Sequence, residues 1–264
     1  MDYSHYHSEH NLKVEIEEKV ATVTLDRPKK KNAIDFGLHE GLERVFRDLS
    51  YDSEVGAIIL TGSGDTFCAG GDLTGFYPED HVFRNSLRSR ALNWAILHCE
   101  TPIISAVNGT AAGLGATIAL MCDVIFMADT AKIGDTHVQV GLTAGDGGQV
   151  IWPLLVGPHR AKEYLMAGEM IPASEADRIG LVNHVVPADE LLYHARTYAA
   201  KLANGAQSSI RWAKMAINKM VEQQQVLNLD FGLATEFMCS AGSEDTREAM
   251  NAFAEKRKPN FTGN

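Results

Sequence analysis

Residues 12–16 (LKVEI) and 20–25 (VATVTL) alternate apolar and polar positions, and the polar EEK between them predicts a β-hairpin. The segment RPKKKNAID breaks that alternation at Pro28. Over residues 36–50 the period changes, and Leu38, Leu42, Val45, Phe46 and Leu49 fall on one face of a helix. Three short apolar runs follow: AIIL at 57–60, PIISAV at 102–107 and DVIFMA at 123–128. Each is rich in β-branched residues and too short for a good helix, so all three read as buried strands. Helical patterns over roughly 82–98 and 113–121 separate them. Strands that alternate with helices predict an α/β fold with crossover connections.

Beyond residue 150 the pattern is helical: RAKEYLMAG, SEADRIG, DELLYHARTYAAKLA, SIRWAKMAINKM and 226–256. Only the strand-like LVNHVV interrupts it. Ser174 is placed to cap one of these helices, and Gly180 to end it. The reading is a β/α core over residues 1–195 and a helical region over 196–264, with no linker and no internal repeat.

Composition narrows the function classes. The 264 residues are 45% hydrophobic and 22% charged, with a net charge of −10. An acidic surface repels a phosphate backbone, so a nucleic-acid partner is not expected. Cys68, Cys99, Cys122 and Cys239 are widely spaced with no CxxC pair, which argues against a zinc site or a disulfide framework and fits a reducing compartment. The opening MDYSHYHSEHNLKVEIEEKV has no basic stretch followed by an apolar one, and no run approaches ~18 apolar residues. A cytoplasmic location, no membrane contact and no metal are expected. His5, His7 and His10 read as part of an exposed, disordered terminus rather than as a ligand set.

Two glycine stretches carry candidate chemistry: TFCAGGDL at 66–73 and NGTAAGLGATIALMCD at 108–123. Each follows a strand, and the second runs into a helix whose first N–H groups are unpaired. They are either tight strand-to-helix turns or two backbone donors aimed at a developing oxyanion. Neither is a phosphate-binding fingerprint. A third stretch, GDTHVQVGLTAGDGG, sets His137 nine residues before Asp146.

The quoted stretches RPKKKNAID, ILTGSGDTFCAGGDL, TPIISAVNGTAAGLG, IALMCDVIFMADTAKIG, GEMIPASEADRIGLVNHVVP and AFAEKRKPNF, in this order, resemble the crotonase (enoyl-CoA hydratase/isomerase) superfamily along nearly the whole chain. The resemblance implies a ββα-spiral core with a C-terminal helical region used in trimerisation, as a homotrimer or a dimer of trimers. It implies an acyl-CoA substrate, with coenzyme A as part of that substrate and no separate cofactor. It also implies a thioester oxygen held by two backbone N–H groups, which map onto Gly71 and Leu114. The family's coenzyme A contacts map onto Lys29, Lys30, Lys31, the Ala69–Gly70–Asp72 turn and Lys256. A solvated charge run remains the other reading of those lysines.

The chain departs from the family where hydratases place two glutamates. The matching positions hold Thr117 and His137. Threonine is no base at neutral pH, whereas histidine can be one. The segment GLTAGDGG also sets Asp146 where a small residue is usual. The His137–Asp146 spacing, with VIWP at 150–153, resembles the 6-oxocamphor hydrolase branch, which cleaves carbon–carbon bonds of β-diketones; its helical glutamate maps onto Glu236. That branch carries a second histidine near positions 113–115, and this chain does not.

In this reading His137 is the base, with Asp146 its orienter, or Asp146 attacks and His137 later activates water. Glu236 is the third catalytic candidate. A polar loop pair, and a solvated helix face for Glu236, stay open beside it. Three functions compete: an acyl-CoA enzyme of the hydratase/isomerase kind, a C–C hydrolase acting on a 1,3-dicarbonyl, and a non-catalytic acyl-CoA binder.

Overall fold

The computed structural model describes residues 2–73 and 90–264. Strands β1 (Leu12–Glu17) and β2 (Val20–Leu25) form the hairpin, with Leu12 opposite Leu25. Glu18 and Lys19 turn it with φ of 49° and 65°, the left-handed pair that matches the twist of a two-residue hairpin. Next come helix α2 (Phe36–Tyr51), which follows an N-terminal helix α1 (Ser4–His10), and strands β3 (Ala57–Gly62) and β4 (Thr66–Cys68). Residues 90–98 are helical (α3). They are followed by β5 (Ile103–Val107), β6 (Thr110–Ala112), α4 (Leu114–Met121), β7 (Val124–Ala128), β8 (Lys132–Gly134) and α5 (Gly148–Ala167). The chain ends with β9 (Ile171–Pro172), α6 (Ala173–Arg178), β10 (His184–Val186), α7 (Leu191–Ala203), α8 (Gln207–Gly242) and α9 (Glu244–Glu255).

Six strands form one sheet in the order β1-β2-β3-β5-β7-β10, and four form a second in the order β4-β6-β8-β9. All pairings of the large sheet beyond the hairpin are parallel. All six residues of β3 are buried, as a continuous apolar run in a covered parallel sheet requires. Three times, a long strand of the first sheet is followed by a short strand of the second and then a helix: a ββα spiral. The short strands were not legible as strands, because they lie within the glycine-rich stretches.

Four expectations change. The terminus is ordered, not disordered. Tyr6 is buried and its hydroxyl donates to Asp48 at 2.6 Å; the Tyr3 hydroxyl donates to Asp52 at 2.8 Å. His10 is buried too, its Nδ1 2.9 Å from the Gly37 carbonyl. Ser174 lies inside α6, whose cap is Pro172, while Gly180 does follow its end with φ 74°. The helical pattern expected over 226–256 is broken at Ser243, which caps α9 by accepting from the Thr246 N–H. The division at 195/196 falls inside α7, whose Ala195, Ala199 and Ala203 are buried and which packs on β3, β5 and β7. Of the helix expected over 82–98, residues 82–89 lie outside the described residues. No described helix is long and apolar enough to cross a membrane.

Candidate active site

The two glycine turns meet. Gly70 has φ 98°, and a Cβ there would stand 2.9 Å from the Ala112 carbonyl oxygen and 3.8 Å from the Leu114 nitrogen. Only glycine therefore lets the 69–72 turn close onto the start of α4. Ile34 donates to the Gly70 carbonyl at 2.8 Å and accepts from the Asp72 N–H at 2.9 Å. The Gly71 N–H, between them, points away from Ile34. Leu114 is the first residue of α4, so its N–H has no partner within the helix. Among the described residues no backbone carbonyl accepts from either amide.

His137 sits against this pair. Gly113 has φ 51°, and a Cβ on it would lie 3.4 Å from His137 Cε1 and 3.7 Å from Nε2. The ring thus packs on the bare α-carbon beside the Leu114 amide. A Cβ at Gly115 would lie 2.5 Å from the Cys68 carbonyl oxygen. A histidine at 115 has no room, and at 113 it would need a left-handed backbone that side chains rarely adopt.

The residues after β8 fold a short 3-10 turn, His137–Val140. Asp135 Oδ1 accepts from the His137 backbone N–H at 3.2 Å and lies 2.6 Å from Nδ1. On the other side of the ring, Nε2 lies 3.2 Å from Asp146 Oδ2. Asp146 Oδ1 accepts from the Thr117 hydroxyl at 3.1 Å, and the Asp146 carbonyl accepts from Asn93 Nδ2 at 2.7 Å. The side chains of Asp135, His137 and Asp146 are 1%, 11% and 4% exposed. Thr117 therefore supports the Asp146 carboxylate.

Glu236 reaches the site through close backbone packing. A Cβ at Gly145 would meet the Gly232 carbonyl oxygen at 2.2 Å and Glu236 Cβ at 2.8 Å. Two facing glycines, one in the Asp146 turn and one on α8, bring the helix in and deliver Glu236 one turn later.

The electrostatics separate these groups. Burial alone would lower the His137 pKa, but Asp135 and Asp146 outweigh it and hold the imidazole well above its ordinary value. Burial would raise Asp146, but the His137 charge, the ring and Thr117 bonds lower it. Burial and the Asp146 charge push Glu236 up to about 8. These shifts favour an imidazolium with a carboxylate beside it, and the neutral acid form of Glu236 through neutral pH. Paired groups with separated titrations are the usual sign of divided acid and base roles.

This revises the role expected of His137. Both ring nitrogens face carboxylates, so neither is free to accept a proton in the resting site. Asp135, absent from the sequence reading, holds Nδ1; Asp146 faces Nε2. The D-x-H spacing was the available signal, since aspartate side chains commonly bond the backbone two residues on. Ligand atoms of Asp135, His137 and Asp146 lie within 4.8 Å of one another, so these are the residues that could hold a cation. At 2.6 Å, Nδ1 and Asp135 are too close to share an ion with bonds of about 2.0–2.2 Å on either side at ordinary angles, and a proton fits that gap better.

The coenzyme A candidates are brought together in part. Lys29 and Lys30 lie on an exposed 3-10 turn, and the exposed Lys31 joins it to the glycine turn through its carbonyl, which accepts from the Ala69 N–H at 3.0 Å. Asp72 is tied to Arg27 at 3.2 Å and serves that turn's shape. Lys256 is exposed at the end of α9, a helix that packs on the 137–140 turn and on α8.

The family model described as Enoyl-CoA hydratase/isomerase matches residues 15–264. A protein of Mycobacterium bovis named "Probable enoyl-CoA hydratase" is 37% identical over 254 residues, covering 94% of this chain and 96% of its own. The short-chain-enoyl-CoA hydratase of Clostridium acetobutylicum is 36% identical over 254 residues, covering 94% and 96%. Among solved structures, an enoyl-CoA hydratase/isomerase from Mycobacterium paratuberculosis superposes with a TM-score of 0.85 at 33% identity, covering 91% of this chain and 97% of that one.

Proposed function

The chain belongs to the enoyl-CoA hydratase/isomerase family, and from that premise we propose that it processes an acyl-CoA thioester through an enolate, without the two-glutamate chemistry of a hydratase. The Gly71 and Leu114 amides form the oxyanion hole. One such donor is worth about 3–4 kcal/mol, so the pair supplies much of the stabilisation an enolate needs. The observation that carries the reading is the His137 ring packed on Gly113 beside the Leu114 amide, with Asp146 behind it. The reacting groups and the candidate hole are thus neighbours.

A second reading within this one is C–C hydrolysis of a 1,3-dicarbonyl, with or without coenzyme A. It is favoured by the Asp146 carboxylate standing beside a Glu236 that stays protonated up to about pH 8. Water bonds to the ketone carbon as the C=O π pair moves onto its oxygen, and a proton passes to Asp146. The carbonyl re-forms as a carboxylic acid while the bond to the methylene carbon breaks, and that electron pair becomes the enolate held by the two amides. Glu236 gives a proton to that carbon, and the proton on Asp146 passes to Glu236 to restore the site. His137, as a cation, holds the carboxylate in place and moderates the charge. Acid and base would act as one coupled unit.

Assays of crotonyl-CoA, a 3-oxoacyl-CoA and a panel of cyclic β-diketones separate the readings. The expected result is cleavage of a dicarbonyl substrate with little hydration of crotonyl-CoA. Rapid crotonyl-CoA hydration that survives His137→Ala and Asp146→Asn would refute the role of the pair. Tight acyl-CoA binding with no turnover would favour the non-catalytic reading.

Assembly as a homotrimer or a dimer of trimers belongs to the same proposal. Along α8, Trp212, Ile217, Met220, Leu227 and Phe231 are each at least 62% exposed, a large apolar face for a single chain. Sedimentation should give a trimer or hexamer at micromolar concentration; a stable monomer would count against it. The four free cysteines, three of them buried, support a reducing, cytoplasmic setting.

A further inference from the structure

One buried ionisable group in the cleft has no part in the chemistry proposed above. Asp135 lies at the end of β8, its side chain 1% exposed. Its Oδ1 takes two bonds from His137, one from the backbone N–H at 3.2 Å and one from Nδ1 at 2.6 Å. Its Oδ2 is buried without a hydrogen-bond partner among the described residues, pressed against the α-carbon of Gly148, where a Cβ would come within 2.4 Å. A carboxylate so placed, with one oxygen bare of donors, needs a cation beside it. The cation within reach is His137.

We propose that Asp135 is a positioning residue that keeps His137 doubly protonated, with Nδ1–H fixed on Asp135 and Nε2–H aimed at Asp146, so that the ring enters the reaction as a cation that holds the Asp146 carboxylate in place. The inference rests on the reading of His137 and Asp146 as reacting groups. A neutral imidazole carries one N–H and could satisfy only one of the two carboxylates. The other would face a lone pair across 3.2 Å or less. The groups that face the ring from each packed element are Asp135 from its own turn, Asp146 from the 143–147 turn and Glu236 from α8. The other neighbours, Gly113 and Thr117 of α4, are neutral. The charges of Asp135 and Asp146 both act to hold the second proton on the ring.

The two contacts are unequal: Nδ1 lies 2.6 Å from Asp135 and Nε2 lies 3.2 Å from Asp146. The shorter one fixes the ring, and loss of the Nε2 proton would leave a neutral ring in the Nδ1–H tautomer, still held by Asp135.

The test is an NMR titration of the full-length protein carrying 15N-labelled histidine, with His137 assigned by its loss in His137→Gln. In the wild type, both His137 nitrogens should keep the imidazolium signature at pH 7.5, where a free histidine, with a pKa of about 6.5, is mostly neutral. Asp135→Asn should bring the titration midpoint down by at least about one pH unit. Asp135→Glu should restore it in part. With whichever acyl-CoA or diketone the wild type turns over, Asp135→Asn should lower kcat at least about tenfold with KM little changed. A wild-type His137 that is neutral at pH 7 overturns the proposal without any variant. So does an unchanged midpoint in Asp135→Asn. If the midpoint shifts as expected while His137→Ala retains full activity, Asp135 still holds the proton, and the catalytic reading of His137 is what fails.

Discussion

His10 is buried and His137 nearly so, its side chain 11% exposed, and each has a ring nitrogen within 3 Å of an oxygen. Their surroundings give them opposite roles. His10 meets the neutral Gly37 carbonyl, on a helix anchored by Tyr3 and Tyr6 to Asp52 and Asp48. In α1 the hydroxyls donate, the carboxylates accept, and no proton needs to move. His137 lies between two carboxylates, beside two amides without backbone acceptors and near a carboxylic acid. Burial therefore does not distinguish structure from chemistry. The distinction lies in whether the partners are neutral acceptors or charged groups that hold a proton on the ring.

The largest break in the comparison should come at the site. His137→Ala and Asp146→Asn should each lower kcat by at least about a hundredfold, the scale of general acid–base help. The double variant should be little worse than either single one, because members of one catalytic unit do not add. Ligand affinity should change little, since the candidate oxyanion hole is backbone. Melting curves must accompany the kinetics. A folded His137→Ala with wild-type turnover would return the pair to a structural loop.

Glu236 gives the next effect, and its sign follows from its pKa. Its folded value is raised from 4.5 to about 8, so the neutral acid persists through neutral pH. If it donates a proton, wild-type kcat should fall as pH rises through about 8. Glu236→Gln should lose that limb and about tenfold in rate below it. Stability follows the same direction. A raised folded pKa favours the fold below the unfolded value and loses that contribution as pH rises through the folded one. Glu236→Gln should flatten the decline in melting temperature between about pH 5 and 8. A wild-type rate profile flat from pH 7 to 9.5 would remove Glu236 as the acid.

On the structural side, Tyr6→Phe should leave kcat unchanged and cost about 1–2 kcal/mol, because it removes a hydrogen bond to a charged and only partly buried carboxylate. For a chain of this size the melting temperature should fall by a few degrees. A tenfold loss of activity without unfolding would mean that α1 is coupled to the site, and the contrast between the two histidines would fail.

The parts legible in the sequence share one feature: their signal is local and repeated. β3, β5 and β7 stood out because parallel strands covered on both faces need continuous apolar runs, and α2 because one face is buried. The helix break at Ser243 was hidden because apolar spacing continues across it. The terminus was misread because three histidines drew attention from Tyr3 and Tyr6, whose i, i+3 spacing is the anchor. His137 and Asp146 could be named from the family pattern. Their arrangement could not, because it depends on a two-residue reach by Asp135 and on Gly145 meeting Gly232 across 87 positions. Contacts of that kind leave no periodicity.

The smallest effect should fall where charge stays in water. Lys29, Lys30 and Lys31 lie on an exposed turn tied by the Lys31 carbonyl to Ala69, and Lys256 is exposed at the end of α9. If they meet the phosphates of coenzyme A, each does so through a solvated ammonium, worth about 0.2–1 kcal/mol for an exposed pair. Lys256→Ala should therefore weaken binding of a CoA thioester by less than about sixfold. The loss should shrink as salt rises from about 0.05 to 0.5 M, where the screening length falls well below 10 Å. kcat at saturating substrate should not move, which sets these lysines apart from His137. Titration calorimetry at two salt concentrations measures this directly. Equal affinity for wild type and Lys256→Ala at low salt would remove Lys256 from the site, and a loss that persists at high salt would mean a desolvated contact that the exposed position does not provide.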